Sequence, residues 1–206
     1  MPFQNRVTPS GEIVALPGRG TIMGNRGTIH NDRKEIVRPW QVKRWIACAL
    51  EFRGRRREVM QPNRWTHLFF LDEAAAFSAG HRPCAECRNA DYKRFRALWE
   101  AVRGTSAGAD AIDDVLHVSR LQHREKRTYS TSADNLPDGT YVRIGGEPWL
   151  IWGDSIYRWS DSGYTARRRR PSRVDVEVLT PEPIIPVFAA GYRPAVHPSI
   201  DSLRVS

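Results

Sequence analysis

The sequence predicts an α+β chain: a small N-terminal lobe with helices over residues 1–104, then an antiparallel β meander or small barrel over residues 110–206. Three observations carry that expectation. A C-x-x-C pair, Cys84 and Cys87, lies between two helical segments. Aromatic and apolar residues (Tyr92, Phe95, Leu98, Trp99, Val102) recur at helical spacing over residues 91–103. After Asp138-Gly139, short apolar runs alternate with Gly- and Asp-containing turns at the close spacing of hairpins.

Residues 1–37 have the pattern of loops and short strands. Within them Arg19-Gly20-Thr21-Ile22 recurs seven residues later as Arg26-Gly27-Thr28-Ile29. The two copies predict paired strands, or two Gly turns bounding a hairpin. Glycine lets backbone approach a phosphate closely, so Arg26 is a candidate contact. Pro39 at a first helical position, with Trp40, Val42, Trp45, Ile46, Ala49 and Leu50 as an apolar face, predicts a helix over 38–50 that contains Cys48. Residues 60–66 have loop character, and His67-Leu68-Phe69-Phe70-Leu71 predicts a short buried strand.

A helix follows, with Asp72 as N-cap and Gly80 as its C-terminal stop. The C-x-x-C comes next, then the helix over 91–103. Gly104 to Ala109 is small and flexible and marks the boundary between lobes. A further helix is predicted over 112–121. Strands are predicted over 140–144, 148–152, 155–159 and 174–179, with a last helical turn over 187–191.

Net charge is +9, carried by 28 Arg against only 4 Lys. Arginine forks phosphate and stacks on bases, so the bias suits a nucleic-acid partner; GC-rich coding would also raise Arg everywhere, which makes clustering the discriminating feature. Two clusters stand out: Arg53 with Arg55, Arg56 and Arg57, and the run Arg167, Arg168, Arg169, Arg170. Three cysteines, an odd number, argue against a disulfide framework and fit a reducing cytoplasm. No apolar run approaches the ~18 residues of a membrane span, and the N-terminus lacks a signal-peptide layout.

Two thiolates separated by two residues can bind one soft divalent metal, with Zn–S near ~2.3 Å. A redox pair would want a strand before the motif, whereas a helix is predicted there. Zinc (Zn2+) is therefore the expected cofactor, stabilising the N-terminal lobe. Cys48, alone on an apolar stripe, serves equally as a small core residue or as a third ligand.

The stretch Phe69-Phe70-Leu71-Asp72-Glu73-Ala74-Ala75-Ala76-Phe77-Ser78-Ala79-Gly80-His81-Arg82-Pro83-Cys84-Ala85-Glu86-Cys87-Arg88 resembles the second half of an Ada-type metal-binding domain. The resemblance covers twenty residues and implies a zinc knuckle beside DNA phosphates, with Cys84 and Cys87 as ligands. Trp45-Ile46-Ala47-Cys48 is similar to the segment around that family's first ligand, which implies Cys48 as the third. In the family's repair members one zinc thiolate accepts a methyl group from an alkylated phosphate. The chain departs from the pattern four residues after Cys48, where Phe52 replaces a cysteine. His30 is then the expected fourth ligand, with His67, His81 and Glu51 behind it.

Three functions follow as expectations. The first is zinc-stabilised binding of nucleic acid, DNA rather than RNA, acting on damaged or modified DNA. Arg26, Arg53, Arg55, Arg56, Arg57, Arg82 and Arg88 would contact phosphates, extended by Arg167, Arg168, Arg169 and Arg170. The second is a zinc deaminase, since Pro83-Cys84-Ala85-Glu86-Cys87 satisfies its P-C-x-x-C element. That chemistry needs a Glu two residues after the upstream ligand, where Leu50 stands and Glu51 comes one residue late. The third is a nuclease-like enzyme with its site near residues 18–32, using His30.

Overall fold

The computed structural model describes residues 1–54 and 58–204. Arg55, Arg56 and Arg57, named above as phosphate contacts, lie outside the described residues.

The N-terminal half builds a six-stranded mixed sheet from β1 (Arg6–Val7), β2 (Ile13–Val14), β3 (Ile22–Asn25), β4 (Ile46–Cys48), β5 (Leu68–Phe70) and β6 (Arg82–Pro83). The strand order is β2-β1-β5-β3-β4-β6, with β1–β5 and β4–β6 parallel. Three helices accompany it: α1 (Glu73–Ser78), α2 (Asn89–Arg103) and α3 (Ala109–Arg120). A two-stranded hairpin, β7 (Leu121–Gln122) and β8 (Glu125–Lys126), follows. The C-terminal half forms a six-stranded antiparallel sheet from β9 (Tyr129–Ser132), β10 (Tyr141–Ile144), β11 (Glu147–Trp152), β12 (Ser155–Ser160), β13 (Gly163–Arg169) and β14 (Asp175–Val178), in the order β13-β12-β11-β10-β14-β9. Helix α4 (Ile185–Ala189) comes last.

The expected meander is present over β10 to β13, and as an open sheet rather than a barrel. Its hairpins follow from their turns. Gly145 and Gly146 take φ of 59° and 83°, the left-handed pair that a two-residue turn between right-twisting strands requires. Every expected helix beyond Asp72 is also found.

The first half departs from expectation in two places. No helix forms over 38–50; β4 stands there instead, hydrogen-bonded between β3 and β6. Val42 and Leu50 are exposed while Trp45, Ile46 and Ala47 are buried, so the apolar residues never share one helical face. Sheet pairing overrides the helical spacing. The repeated Arg-Gly-Thr-Ile motif is not a pair of strands either. β3 contains Ile22 of the first copy and pairs with β4 and β5, and the second copy is loop.

The boundary drawn at 104–110 separates the two sheets, but the core crosses it. Val7, Ile22, Phe70 and Ala75 pack in one cluster with Tyr141, Leu150, Tyr164 and Leu179. Asp72 ties the halves together by hydrogen bonds. Its Oδ1 caps α1 by accepting from the Ala75 N–H at 2.8 Å, and its Oδ2 accepts from the Tyr164 hydroxyl at 2.6 Å and the His197 N–H at 2.9 Å. Burial pushes the Asp72 carboxyl up, and the Tyr164 hydroxyl with the two N–H groups pulls it back. Tyr164→Phe leaves one oxygen of a buried carboxylate short of a donor, which should cost roughly 2 kcal/mol of stability in thermal unfolding. A loss below about 0.5 kcal/mol would show that this bond does not hold the sheets together.

Candidate metal centre

Three local features bring the cysteines together. Parallel pairing sets Ile46 opposite Arg82 and Ala47 opposite Pro83, so the next step along both strands puts Cys48 beside Cys84. The Cys84 N–H donates to the Ala47 carbonyl at 2.9 Å and extends that ladder. The chain then turns over residues 85–88 into α2, carrying Cys87 back toward the other two. The three sulfurs lie within 4.8 Å of one another.

The approach to Cys84 is fixed from both sides. Helix α1 ends in a Schellman arrangement: the Gly80 N–H donates to Phe77 O at 2.8 Å, and the His81 N–H to Ala76 O at 2.9 Å. Gly80 sits at φ 88°, and a Cβ there would stand 2.6 Å from Arg120 Cδ, so glycine is required. Arg82 is buried and forms a bidentate pair with Asp113 of α3, Nε to Oδ1 at 3.1 Å and Nη2 to Oδ2 at 2.6 Å. Removing one partner of such a buried pair costs about 3–5 kcal/mol.

Cys48 and Cys84 are buried and Cys87 is half-buried. The thiols polarise one another. Cys84 is pushed down to about 5, first by a hydrogen bond from Cys48 and also by the N–H groups of Cys87 and Glu86. Cys87 is lowered too, again first by Cys48 and also by the Ala49 N–H. Cys48 is the proton holder of the group, pushed up by its bonds to the other two. Backbone N–H groups aimed at sulfur favour thiolate, the form that binds metal. Three soft donors so placed fit a thiophilic divalent ion such as zinc.

Among the described residues no fourth side chain joins this group. His30, the expected ligand, is buried elsewhere with both ring nitrogens engaged: Nδ1 with Thr66 Oγ1 at 2.6 Å, and Nε2 with the Gln61 carbonyl at 3.1 Å. A carbonyl only accepts, so Nε2 keeps its proton and offers no lone pair. His81 is held between the Trp45 and Phe70 rings, its Nε2 accepting from Arg26 Nε at 3.3 Å. Glu51 is exposed. His67 faces the same cavity as the thiols, with Nδ1 accepting from the Met60 N–H at 3.4 Å.

That cavity, of about 530 Å³, opens directly on the three cysteines. Its other walls include Phe52, Trp65, Phe69 and Arg44, and Trp65 is 57% exposed. These four residues lie on separate segments of the chain, and around Trp65 the sequence carries only loop signals. The adjacent Arg64-Trp65 was the one available hint.

Several expected phosphate contacts are spent inside the fold. Arg82 is held by Asp113. Arg88 is paired with Glu73 and Asp91, at 2.7 Å each. Arg26 is buried, with Nη1 donating to the Gly11 carbonyl at 3.1 Å. Arg53 is exposed and stacks over the Phe52 ring at 4.9 Å, at the edge of the cavity. At the end of β13 the four arginines, Arg170 lying just beyond the strand, do not act as one exposed run. Arg167 donates to Ser155 Oγ at 2.9 Å and Arg170 to the Leu136 carbonyl at 2.5 Å, while Arg168 and Arg169 are exposed.

The chain matches no protein-family model, no curated protein and no solved structure.

A lowered thiol stays nucleophilic at a pH where an ordinary thiol is protonated. In metal-free protein, iodoacetamide should therefore modify half-buried Cys87 first, and at a lower pH than an ordinary thiol needs. Reaction that fades through pH 8–9, as for a free thiol, would contradict the lowered values.

Proposed function

We propose that this chain is a zinc-binding protein that takes an unpaired base of DNA, with damaged or modified DNA as its substrate class. The observation that carries the reading is the position of the cysteine group, on the wall of an aromatic-lined cavity large enough for one base. A closed structural zinc site would take four protein ligands, whereas three leave one position toward the cavity. When bound, zinc would hold the thiols as thiolates and supply a Lewis acid at that position. The remaining work falls to this chain's own side chains. Trp65 and Phe52 offer flat apolar faces on which a base can stack, and such stacking is independent of base identity. Exposed Arg53, and exposed Arg44 (3.1 Å from Asp110), supply the phosphate attraction in a chain of net charge +9.

The alternatives draw less support. A deaminase would use Glu51 as its proton shuttle, and Glu51 is exposed and outside the cavity wall, although Glu86 and Asp110 line it. A nuclease-like site over residues 18–32 would use His30, which is tied to Thr66 and Gln61.

Fluorescence anisotropy with a short single-stranded DNA tests the reading. Trp65→Ala should weaken binding roughly ten- to a hundredfold without unfolding the chain, since one stacked base contributes about 1–3 kcal/mol. Duplex of the same sequence should bind more weakly. Equal binding by Trp65→Ala and Cys84→Ser variants would overturn the assignment.

A further inference from the structure

A second cavity, of about 710 Å³, lies apart from the cysteines. Six cationic side chains line it: Arg26, Arg38, Arg120, Arg124, Lys126 and Arg143. Two carboxylates, Glu12 and Glu125, stand at its wall; both are exposed. Among the described residues, Arg143 alone of the six is ion-paired, with Glu177 at 2.8 Å.

The two deepest cations are the informative ones. Arg26 and Arg120 are 2% and 1% exposed, and both guanidiniums lie over the Trp45 ring, at 4.0 and 3.9 Å from its centre. Arg120 also donates to the carbonyls of Gly80, at 2.9 Å, and Lys43. Those contacts fix the groups without neutralising them, and Asp113, the carboxylate that acts on Arg120, is already held bidentate by Arg82. Nη2 of Arg26 and Nε of Arg120 are buried and have no hydrogen-bond partner among the described residues. Lys126 adds a third basic group, donating to the Ser78 carbonyl and pushed well down by burial, Arg26 and Arg120, so that an anion beside it would favour its charged form. Burial pushes Arg26 and Arg120 down to about 9, and the Arg26 charge lowers Arg120 further.

Buried cations without counter-charges are unfavourable alone and are the usual counterpart of an anionic ligand. A single carboxylate would offset one of three charges. A phosphate dianion offsets two and presents several acceptor oxygens to forked N–H donors. We propose that this cavity binds the phosphate group of a phosphorylated ligand, carried either by a small molecule or by the end of a nucleic-acid strand. The inference rests on residues other than the cysteine group and holds whether or not the cysteines bind metal.

Calorimetric titration of the full chain at fixed ionic strength tests it, with four probes: inorganic phosphate, adenosine monophosphate, and one oligonucleotide with and without a 5′-phosphate. Wild type should bind phosphate, and Arg26→Gln should weaken it at least tenfold. Because Arg26 is buried, the partly exposed Lys126→Gln and the exposed Arg124→Gln serve as second variants, each expected to weaken binding severalfold. Lys93→Gln, on the exposed face of α2, should change nothing. A strand end is the source if the 5′-phosphate improves oligonucleotide binding tenfold and inorganic phosphate competes. A small molecule is the source if only inorganic phosphate and the nucleotide bind. No binding of any phosphorylated probe, or identical binding by wild type, Lys126→Gln and Arg124→Gln, would overturn the proposal.

Discussion

Two adjacent buried carboxylates at the start of α1 hold this fold in one piece. Asp72 takes hydrogen bonds from the helix it caps, from Tyr164 on β13 and from the His197 backbone. Glu73 takes them from Arg88, from the Tyr192 hydroxyl and from the Ala195 N–H. Together they fasten the C-terminal segment and the antiparallel sheet onto the mixed sheet. Each is satisfied by several donors, the condition under which a buried charge is tolerable. Because α1 is fixed, its Schellman end and Gly80 fix the direction in which the chain leaves toward Cys84.

The cysteine group is thus the end of a rigid path rather than a loop feature. Gly80, the Arg82–Asp113 pair and the parallel β4–β6 ladder each constrain it independently. Three thiols so close, with backbone N–H groups aimed at two of them, are organised for deprotonation. Such an arrangement suits a soft cation and is a poor apolar core, since among the described residues the buried cluster adds just Ile46 and Met23 to the cysteines. The same rigidity places the group on a cavity wall instead of closing it off.

Local chemistry was legible in the sequence, and long-range pairing was not. Asp72, Gly80 and the Gly145-Gly146 turn announce themselves because capping and left-handed backbone depend on residues a few positions apart. The periodicity of α2 and the meander strands was equally readable. β4 was hidden because Trp45 to Cys48 suit helix or strand alike, and only partners at β3 and β6 decide. Cys84 and Cys87 were evident from spacing, while Cys48 joins them through a pairing 36 residues apart in sequence. His30 had the right residue type, but its Nδ1 is engaged by Thr66 and its Nε2–H by the Gln61 carbonyl, which no local pattern discloses. Arg82 and Arg88 looked like surface charge because their carboxylate partners are distant in sequence or drawn in from α1.

The account turns on whether the three thiols hold a metal. The decisive measurement is metal content per chain by mass spectrometry under native conditions, on protein purified without added metal. The account predicts one zinc per chain, lost in both Cys48→Ser and Cys84→Ser. Metal-free protein with three freely titrating thiols, or zinc retained in both variants, would contradict it.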